Sequence, residues 1–376
     1  MNWESSVEGR APGQSNPTSR LSTLTSQLSA LNRMKRHLNT LFITTDGSYL
    51  SKDGQAVQVK VNGELKLRVP LINLDGIVCL GGVGCSPALM AACAKAGVTI
   101  SFHTRYGGFQ AAVTGFSPGN VLLRRTQYRI ADSLPQSCLI ARNIVAAKIA
   151  NCRTVLLRAA RDGAEDESAS ALTDAARQLL DPLDSARKAT DLDALRGNEG
   201  DAAAKYFGVF QQLINDAESE FRFRGRSRRP PLDEVNAMLS FLYAMLMHDC
   251  RSACEATGLD AAVGFLHRDR PGRPGMALDL MEEFRPFLVD RLVLSLINRK
   301  QVTTGDFEKT ESGAVLLKDE PRKQVLAAWQ KRKQDEITHP FLNEKTTVGF
   351  LVHLQARLLA RHMRGDLDAY PAFVWK

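Results

Sequence analysis

The sequence predicts an α+β fold: a small N-terminal β-sheet or β-sandwich-like domain over residues 34–115, then a larger all-α domain over 116–376. Three observations carry that expectation. A chain of 376 residues exceeds one ordinary hydrophobic core and suggests two domains. From Leu41 the apolar residues recur with period two between closely spaced turn dipeptides. Beyond about Phe116 the strand signals nearly vanish and helical periodicity takes over.

The turn dipeptides are Asp46-Gly47, Asp53-Gly54 and Asn62-Gly63, pairs that tolerate the positive φ values of tight hairpins. Around the third, Val57, Val59 and Val61 are mirrored by Leu65, Leu67 and Val69, which predicts a half-buried hairpin. Ile77 to Leu80 reads as a more buried strand, Pro87 to Ala96 as a short helix ended by Gly97, and Val98 to His103 as another strand. The Gly81-Gly82-Val83-Gly84 turn fails the dinucleotide-binding pattern. Pro87 stands where the third glycine belongs, and no acid ends the next strand, so a tight strand-to-helix turn suffices.

Residues 1–33 are rich in Ser, Thr, Asn and Gly, with Leu21, Leu24, Leu28 and Leu31 spaced for one weak amphipathic helix. They are expected to be a disordered leader, or an upstream extension ahead of a start at Met34. Ser117-Pro118 opens the helical region, in which Arg124, Arg125, Arg129, Arg142, Lys148 and Arg153 decorate apolar-periodic segments. Asp162 to Ser170 reads as an exposed bend, and residues 302–317 as a β-hairpin insertion. Helices are expected again from about Pro321, the last running from Lys345 to Met363 into the tail Tyr370 to Trp375.

Composition narrows the function. At 44% hydrophobic and 24% charged, with mean hydropathy −0.20, the chain has no apolar run near the roughly 18 residues that cross a bilayer. A formal charge of +8 favours a polyanionic partner. Seven cysteines without framework spacing, and no secretory signal, point to reduced thiols in a cytoplasm. Cys250 and Cys254, with His248 nearby, lack a second ligand pair for zinc and are read as buried structural thiols.

Three segments suggest chemistry. Glu199 lies in Gly197-Asn198-Glu199-Gly200, and Ala203, Tyr206 and Phe210 put its carboxylate on an apolar stripe. Such an acid needs a partner, a proton or a metal, unless it is a helix N-terminal acid favoured by the macrodipole. Arg222, Arg224, Arg226, Arg228 and Arg229 interleave with Phe221 and Phe223, a pattern suited to phosphate contacts or to a solvated basic loop. Asp233 then caps an apolar helix that carries Asn236, Ser240 and Tyr243. His267 enters a loop with Arg268, Arg270 and Arg273, and Asp279, Glu282 and Glu283 follow on one helix face before Arg285. A solvated acidic face and a structural histidine are the plain alternative; a divalent-metal site for phosphate chemistry is the sharper one.

Read together, these segments resemble the CRISPR-associated spacer-acquisition endonuclease/integrase family from Met34-Lys35 to Lys376. The resemblance is carried by Gly197-Asn198-Glu199-Gly200 with Ala203 and Tyr206-Phe207, and by Arg228-Arg229-Pro230-Pro231 with Asn236, Leu239-Ser240 and Tyr243. Gly264-Phe265-Leu266-His267 and Leu278-Asp279-Leu280-Met281-Glu282 with Phe284-Arg285-Pro286 complete it. The Arg-Arg-Pro-Pro wording and the closing Asp368-Ala369-Tyr370-Pro371 look most like the subtype I-C branch.

The resemblance implies that Glu199, His267 and Glu282 bind one Mg²⁺ or Mn²⁺, with Asp279 a further acid beside the site and Asn236 a nearby polar residue. Some relatives carry Asp where Glu282 stands, so Asp279 is left as a candidate to share ligation; Glu283 has no assigned role. It also implies a homodimer formed largely through the β domains, two such dimers being bridged by a small adaptation partner (Cas-two), with the iron-sulfur nuclease Cas-four as a further partner. Double-stranded DNA is the substrate, as spacer precursor and as CRISPR repeat, and a DNA 3′-hydroxyl or water is the nucleophile. A non-catalytic DNA-binding scaffold and a metal-dependent nuclease not engaged in integration are the alternatives.

Overall fold

The computed structural model describes residues 39–115, 120–162, 166–214 and 220–375. The leader with its four leucines, and Ser117-Pro118, lie outside the described residues.

The β region holds two four-stranded sheets. In the first, β1 (Asn39–Ile43), β5 (Leu74–Leu80) and β7 (Thr99–His103) run parallel, and β8 (Phe109–Val113) closes the order β1-β5-β7-β8 antiparallel to β7. In the second, β2 (Ser48–Asp53), β3 (Ala56–Val61) and β4 (Glu64–Pro70) form a meander, and β6 (Gly84–Cys85) adds parallel to β2. The hairpin between β3 and β4 turns on Asn62 (φ 51) and Gly63 (φ 83), the two positive φ values of a twist-matched tight turn. Helix α1 (Pro87–Ala96) starts at Ser86, whose hydroxyl accepts from the Leu89 N–H at 3.3 Å, and stops at Gly97. Leu50, Val57, Ile77, Leu89, Cys93 and Ile100 make the shared core.

Two expectations for this region change. The hairpin is buried mainly on β3: on the edge strand β4 Val69 packs against the core, but Leu65 is 53% and Leu67 42% exposed. The Gly81–Gly84 turn also carries strand β6 rather than passing directly into the helix. Strand β5 is buried on both faces because helices cover the far side of its sheet. There Ser101 Oγ lies 3.1 Å from His248 Nε2, and Lys333 Nζ reaches Thr40 Oγ1 at 3.3 Å.

The helical region comprises α2 (Val121–Asp132), α3 (Leu134–Arg161), α4 (Asp166–Gln178), α5 (Leu180–Lys188), α6 (Leu192–Gly208), α7 (Glu234–Thr257), α8 (Gly275–Glu282), α9 (Arg291–Asn298), α10 (Asp319–Gln334) and α11 (Val348–Met363). A π-helical turn, Arg285–Asp290, joins α8 to α9. Helices α3 and α7 are the long members, and both carry extended buried stripes. Asp233 caps α7 as expected, accepting from the Asn236 N–H at 2.7 Å. Cys250 and Cys254 lie buried on α7, and burial raises both thiols. The α+β class is therefore borne out: a β-sheet region followed by a helical one.

The hairpin expected within 302–317 is β9 (Phe307–Lys309) paired with β10 (Val315–Leu317). Two other boundaries are corrected. The acidic stretch from Asp162 is not simply a bend, since α4 begins at Asp166. The last helix begins at Val348, not Lys345: Lys345–Thr347 is β12, paired with β11 (Glu336–Thr338), and the β-branched Thr346 and Thr347 sit in that ladder. Among the described residues no helix is long and apolar enough to cross a membrane.

Candidate active site

Glu199 sits in the middle of α6, not at a helix N-terminus; Asp191 is the cap, accepting from the Ala194 N–H at 2.7 Å. A helix N-terminal acid is therefore not what Glu199 is. Both Gly197 and Gly200 are helical, and a methyl group at either would meet nothing within 4 Å, so packing within the chain does not demand them. They leave the helix surface beside Glu199 bare.

His267 lies in the loop between α7 and α8, and its posture is set by Asp279. The Asp279 carboxylate is fully buried and accepts from the N–H groups of Phe265 (2.5 Å), Leu266 (2.9 Å) and His267 (3.0 Å). Its Oδ1 also lies 2.6 Å from His267 Nδ1. With Nδ1 held, Nε2 points toward Glu282, 3.9 Å from its Oε1. A carboxylate that fixes one ring nitrogen so that the other can ligate is a recurring metal-site device. The loop approaches α8 closely at Gly264, where a Cβ would stand 2.7 Å from the Gly275 carbonyl carbon and 2.9 Å from Asp279 Oδ2. Arg196 of α6 donates to the Leu266 carbonyl at 3.0 and 2.8 Å, fastening the Glu199 helix to the His267 loop.

The acidic face of α8 is buried rather than solvated: Asp279, Glu282 and Glu283 are at most 4% exposed. Arg285 lies 3.1 Å from Glu282 Oε1. The Lys148 ammonium of α3 is in contact with Glu199 Oε1 and lies 2.7 Å from Glu282 Oε2. Burial opposes ionisation of Glu282, but Arg285 and Lys148 outweigh it and hold the carboxyl down at about 2. Glu283, in contrast, turns away to the C-terminal tail, accepting from the Tyr370 hydroxyl, the Phe373 N–H and Gln355; burial pushes its carboxyl up to about 7.

Glu199, His267 and Glu282 thus line one cleft of about 430 Å³, with Arg228, Arg268, Arg270 and Arg273 also on its walls. Arg228 is shared with an adjoining basic cleft that contains Arg224, Arg226, Phe207 and Phe223. The other expected site residues fall elsewhere. Arg222 and Arg229 are exposed and line neither cleft. Arg226 is braced within the fold, donating to Asn236 Oδ1 (2.6 Å) and Ser240 Oγ (3.1 Å). Tyr206 and Tyr243 both donate to the buried Asp290, at 3.1 and 2.5 Å.

Burial raises Asp290 to about 6 against an ordinary 3.8, so the folded state holds its proton more tightly than the unfolded chain does. Its contribution to stability therefore falls as pH rises from about 3.8 through 6. Asp290→Asn is expected to flatten the melting-temperature profile across that window, by the equivalent of about 1–3 kcal/mol. Wild-type and variant profiles of equal slope there would contradict this.

Sequence reasoning missed the role of Lys148, which it named only among the cations that decorate apolar-periodic segments. The signal was present: Ile144, Val145 and Cys152, at i−4, i−3 and i+4, place it on the buried stripe of α3.

The donor set of the cleft suits a hard divalent cation: two carboxylates and an imidazole with a free nitrogen. Glu282 Oε2 is buried and accepts no aligned hydrogen bond among the described residues, its contact with Lys148 being an ion pair. The ammonium takes the position of a cation between the two glutamates. Among the described residues no three His, Cys, Asp or Glu side chains are grouped as a ready ligand set.

Residues 41–331 match the family model described as CRISPR associated protein Cas1. The chain belongs to the Cas1 family. It is 53% identical over 343 residues to CRISPR-associated endonuclease Cas1 1 of Chlorobaculum tepidum, covering 91% of this chain and 100% of that one. It is 55% identical over 349 residues to CRISPR-associated endonuclease Cas1 2 of Rhodospirillum rubrum, with the same coverage. Among solved structures, a casposase bound to integration product superposes with a TM-score of 0.77 at 23% identity, covering 90% of this chain and 95% of that chain, which establishes a shared fold. The Cas1 chain described here is an endonuclease.

Proposed function

We propose that this Cas1 protein joins new spacer DNA to a CRISPR array, with Glu199, His267 and Glu282 holding one Mg²⁺ or Mn²⁺ in the cleft between α6 and α8. The observation that carries the reading is the convergence of these three side chains on one basic-walled cleft, from positions far apart in the chain. A divalent ion there supplies Lewis-acid stabilisation of charge developing on a phosphodiester.

The rest is done by the protein. Asp279 holds the imidazole in register, and Arg285 stays beside Glu282 to keep it ionised. Arg228, Arg268, Arg270 and Arg273 hold the DNA backbone without reading its sequence. A DNA 3′-hydroxyl attacking the phosphorus forms a new P–O bond as the bond to the target strand's 3′ oxygen breaks and that oxygen leaves, which is strand transfer; water attacking in its place breaks the same bond, which is cleavage. The deciding assay offers the purified protein a 3′-hydroxyl duplex and a supercoiled repeat target. Joined products support integration, and hydrolysis alone favours a nuclease of the same chemistry.

The finer assignments belong to the same proposal. They are the subtype I-C branch, a cytoplasmic prokaryotic setting, an N-terminal β domain ending near residue 115, and the Cas-two and Cas-four partners. A homodimer through the β domains is supported by the edge strand β4, where Leu65 and Leu67 are exposed apolar side chains, and by Ile72, exposed just after it in the chain. Arg228→Ala and Arg229→Ala are each expected to weaken duplex binding several-fold at moderate salt and to lower the slope of log affinity against log salt by about one. An unchanged slope for both variants would remove them from the DNA path. Arg226→Ala is expected to weaken binding as well, with a loss of stability that the other two do not share, since Arg226 braces Asn236 and Ser240.

A further inference from the structure

Lys148 is buried on α3, in contact with Glu199 and 2.7 Å from Glu282, and so connects α6 to α8 through one ammonium. Its side chain is only 11% exposed and that of Glu282 5%, so neither charge is offset by bulk water. Glu199 is 26% exposed and Glu282 5%, and two carboxylates that share one ammonium repel one another once it is removed. The Lys148 ammonium stands 2.7 Å from Glu282 Oε2, where another cation could bind only by displacing it. Arg285 occupies the other oxygen of Glu282 and is anchored over the Tyr243 ring, 4.7 Å from its centroid. Of the two cations beside Glu282, Lys148 alone also touches Glu199.

We propose that Lys148 is a positioning residue whose ammonium competes with the divalent cation for Glu199 and Glu282. It keeps the two helices assembled and yields its place when a divalent ion binds. This rests on the metal-ligand reading above and adds to it an internal competitor that sets the affinity of the site. The sign of the effect follows. Removing the ammonium leaves Arg285 on Glu282 but takes away the cation that both carboxylates share, so the protein becomes less stable without metal and binds metal more tightly.

The test uses the full chain and Mn²⁺ alone, with titration calorimetry for affinity and thermal unfolding in EDTA and in excess Mn²⁺. Lys148→Met is expected to lower the Mn²⁺ dissociation constant by about ten-fold or more. Its unfolding temperature should fall in EDTA and recover in Mn²⁺, giving a larger metal-induced rise than wild type. Lys148→Arg keeps a cation and should stay within a few-fold of wild type. Glu199→Gln combined with Lys148→Met should recover stability in EDTA relative to Lys148→Met alone. If Lys148→Met does not fold in EDTA, Lys148→Gln provides the affinity measurement. Unchanged or weaker Mn²⁺ binding by the folded neutral variant overturns the competition. Undiminished Mn²⁺ binding by Glu199→Ala, which retains Lys148, would instead overturn the ligand assignment itself, so the two failures are separable.

Discussion

Glu199→Ala is expected to lose phosphodiester cleavage and joining by a factor on the order of 10³ or more while the protein remains folded. The carboxylate projects from the middle of α6 into the cleft and makes no helix cap, and its side chain is 26% exposed. Alanine suits a helix interior, and Lys148 keeps Glu282 as a partner after the change. The cost to stability should therefore be small beside the catalytic loss. The check is a cleavage time course with Mn²⁺ alongside thermal unfolding. A folded Glu199→Ala protein that cuts and joins at wild-type rate would remove Glu199 from the catalytic site.

Asp279→Ala is expected to damage both fold and activity, and here the stability term is large. The substitution strands the buried N–H groups of Phe265 and Leu266, the half-buried N–H of His267 and the His267 ring, all of which Asp279 now satisfies. Removing a buried charged acceptor of this kind costs about 3–5 kcal/mol. The His267 loop should loosen, and Nε2 should lose its direction toward Glu282. Asp279→Asn separates the two effects. It preserves volume, but its amide nitrogen must face donors and the imidazole loses the partner that fixes its tautomer. Cleavage should fall by about 10² or more in that variant even where it remains folded. Near-normal turnover by a folded Asp279→Asn would mean the histidine needs no such guide.

The roles of these two acids explain what could be read in the text of the chain. Spacing put Asp279, Glu282 and Glu283 on one short helix face, which is true of any helix. Their different fates come from what packs against that face. Asp279 meets the returning 264–267 loop, Glu282 meets α3 and α6 through Lys148, and Glu283 meets the C-terminal tail. A pattern of charges cannot reveal which neighbour will arrive. The same holds for Lys148, whose apolar flanks marked it as buried without naming the two glutamates it joins. Arg226 was grouped with four other arginines, yet Asn236, Ser240 and Tyr243 hold it inside the fold while Arg228 and Arg229 stay outside.

The amino-acid order by itself determined the local elements with strong signals: the Asn62-Gly63 hairpin, the Ser86-to-Gly97 helix, the Asp233 cap and the change from period two to helical spacing. Each depends on backbone preferences or side-chain alternation within a few residues, so neighbours in sequence suffice. The motifs also carried the family. Tertiary structure alone decided the edge exposure of β4, the β11–β12 pairing, the mid-helix place of Glu199 and the ammonium between two glutamates. Those features arise where segments distant in the chain exclude water from one another, and the energy of a charge depends on that enclosure more than on its place in the sequence.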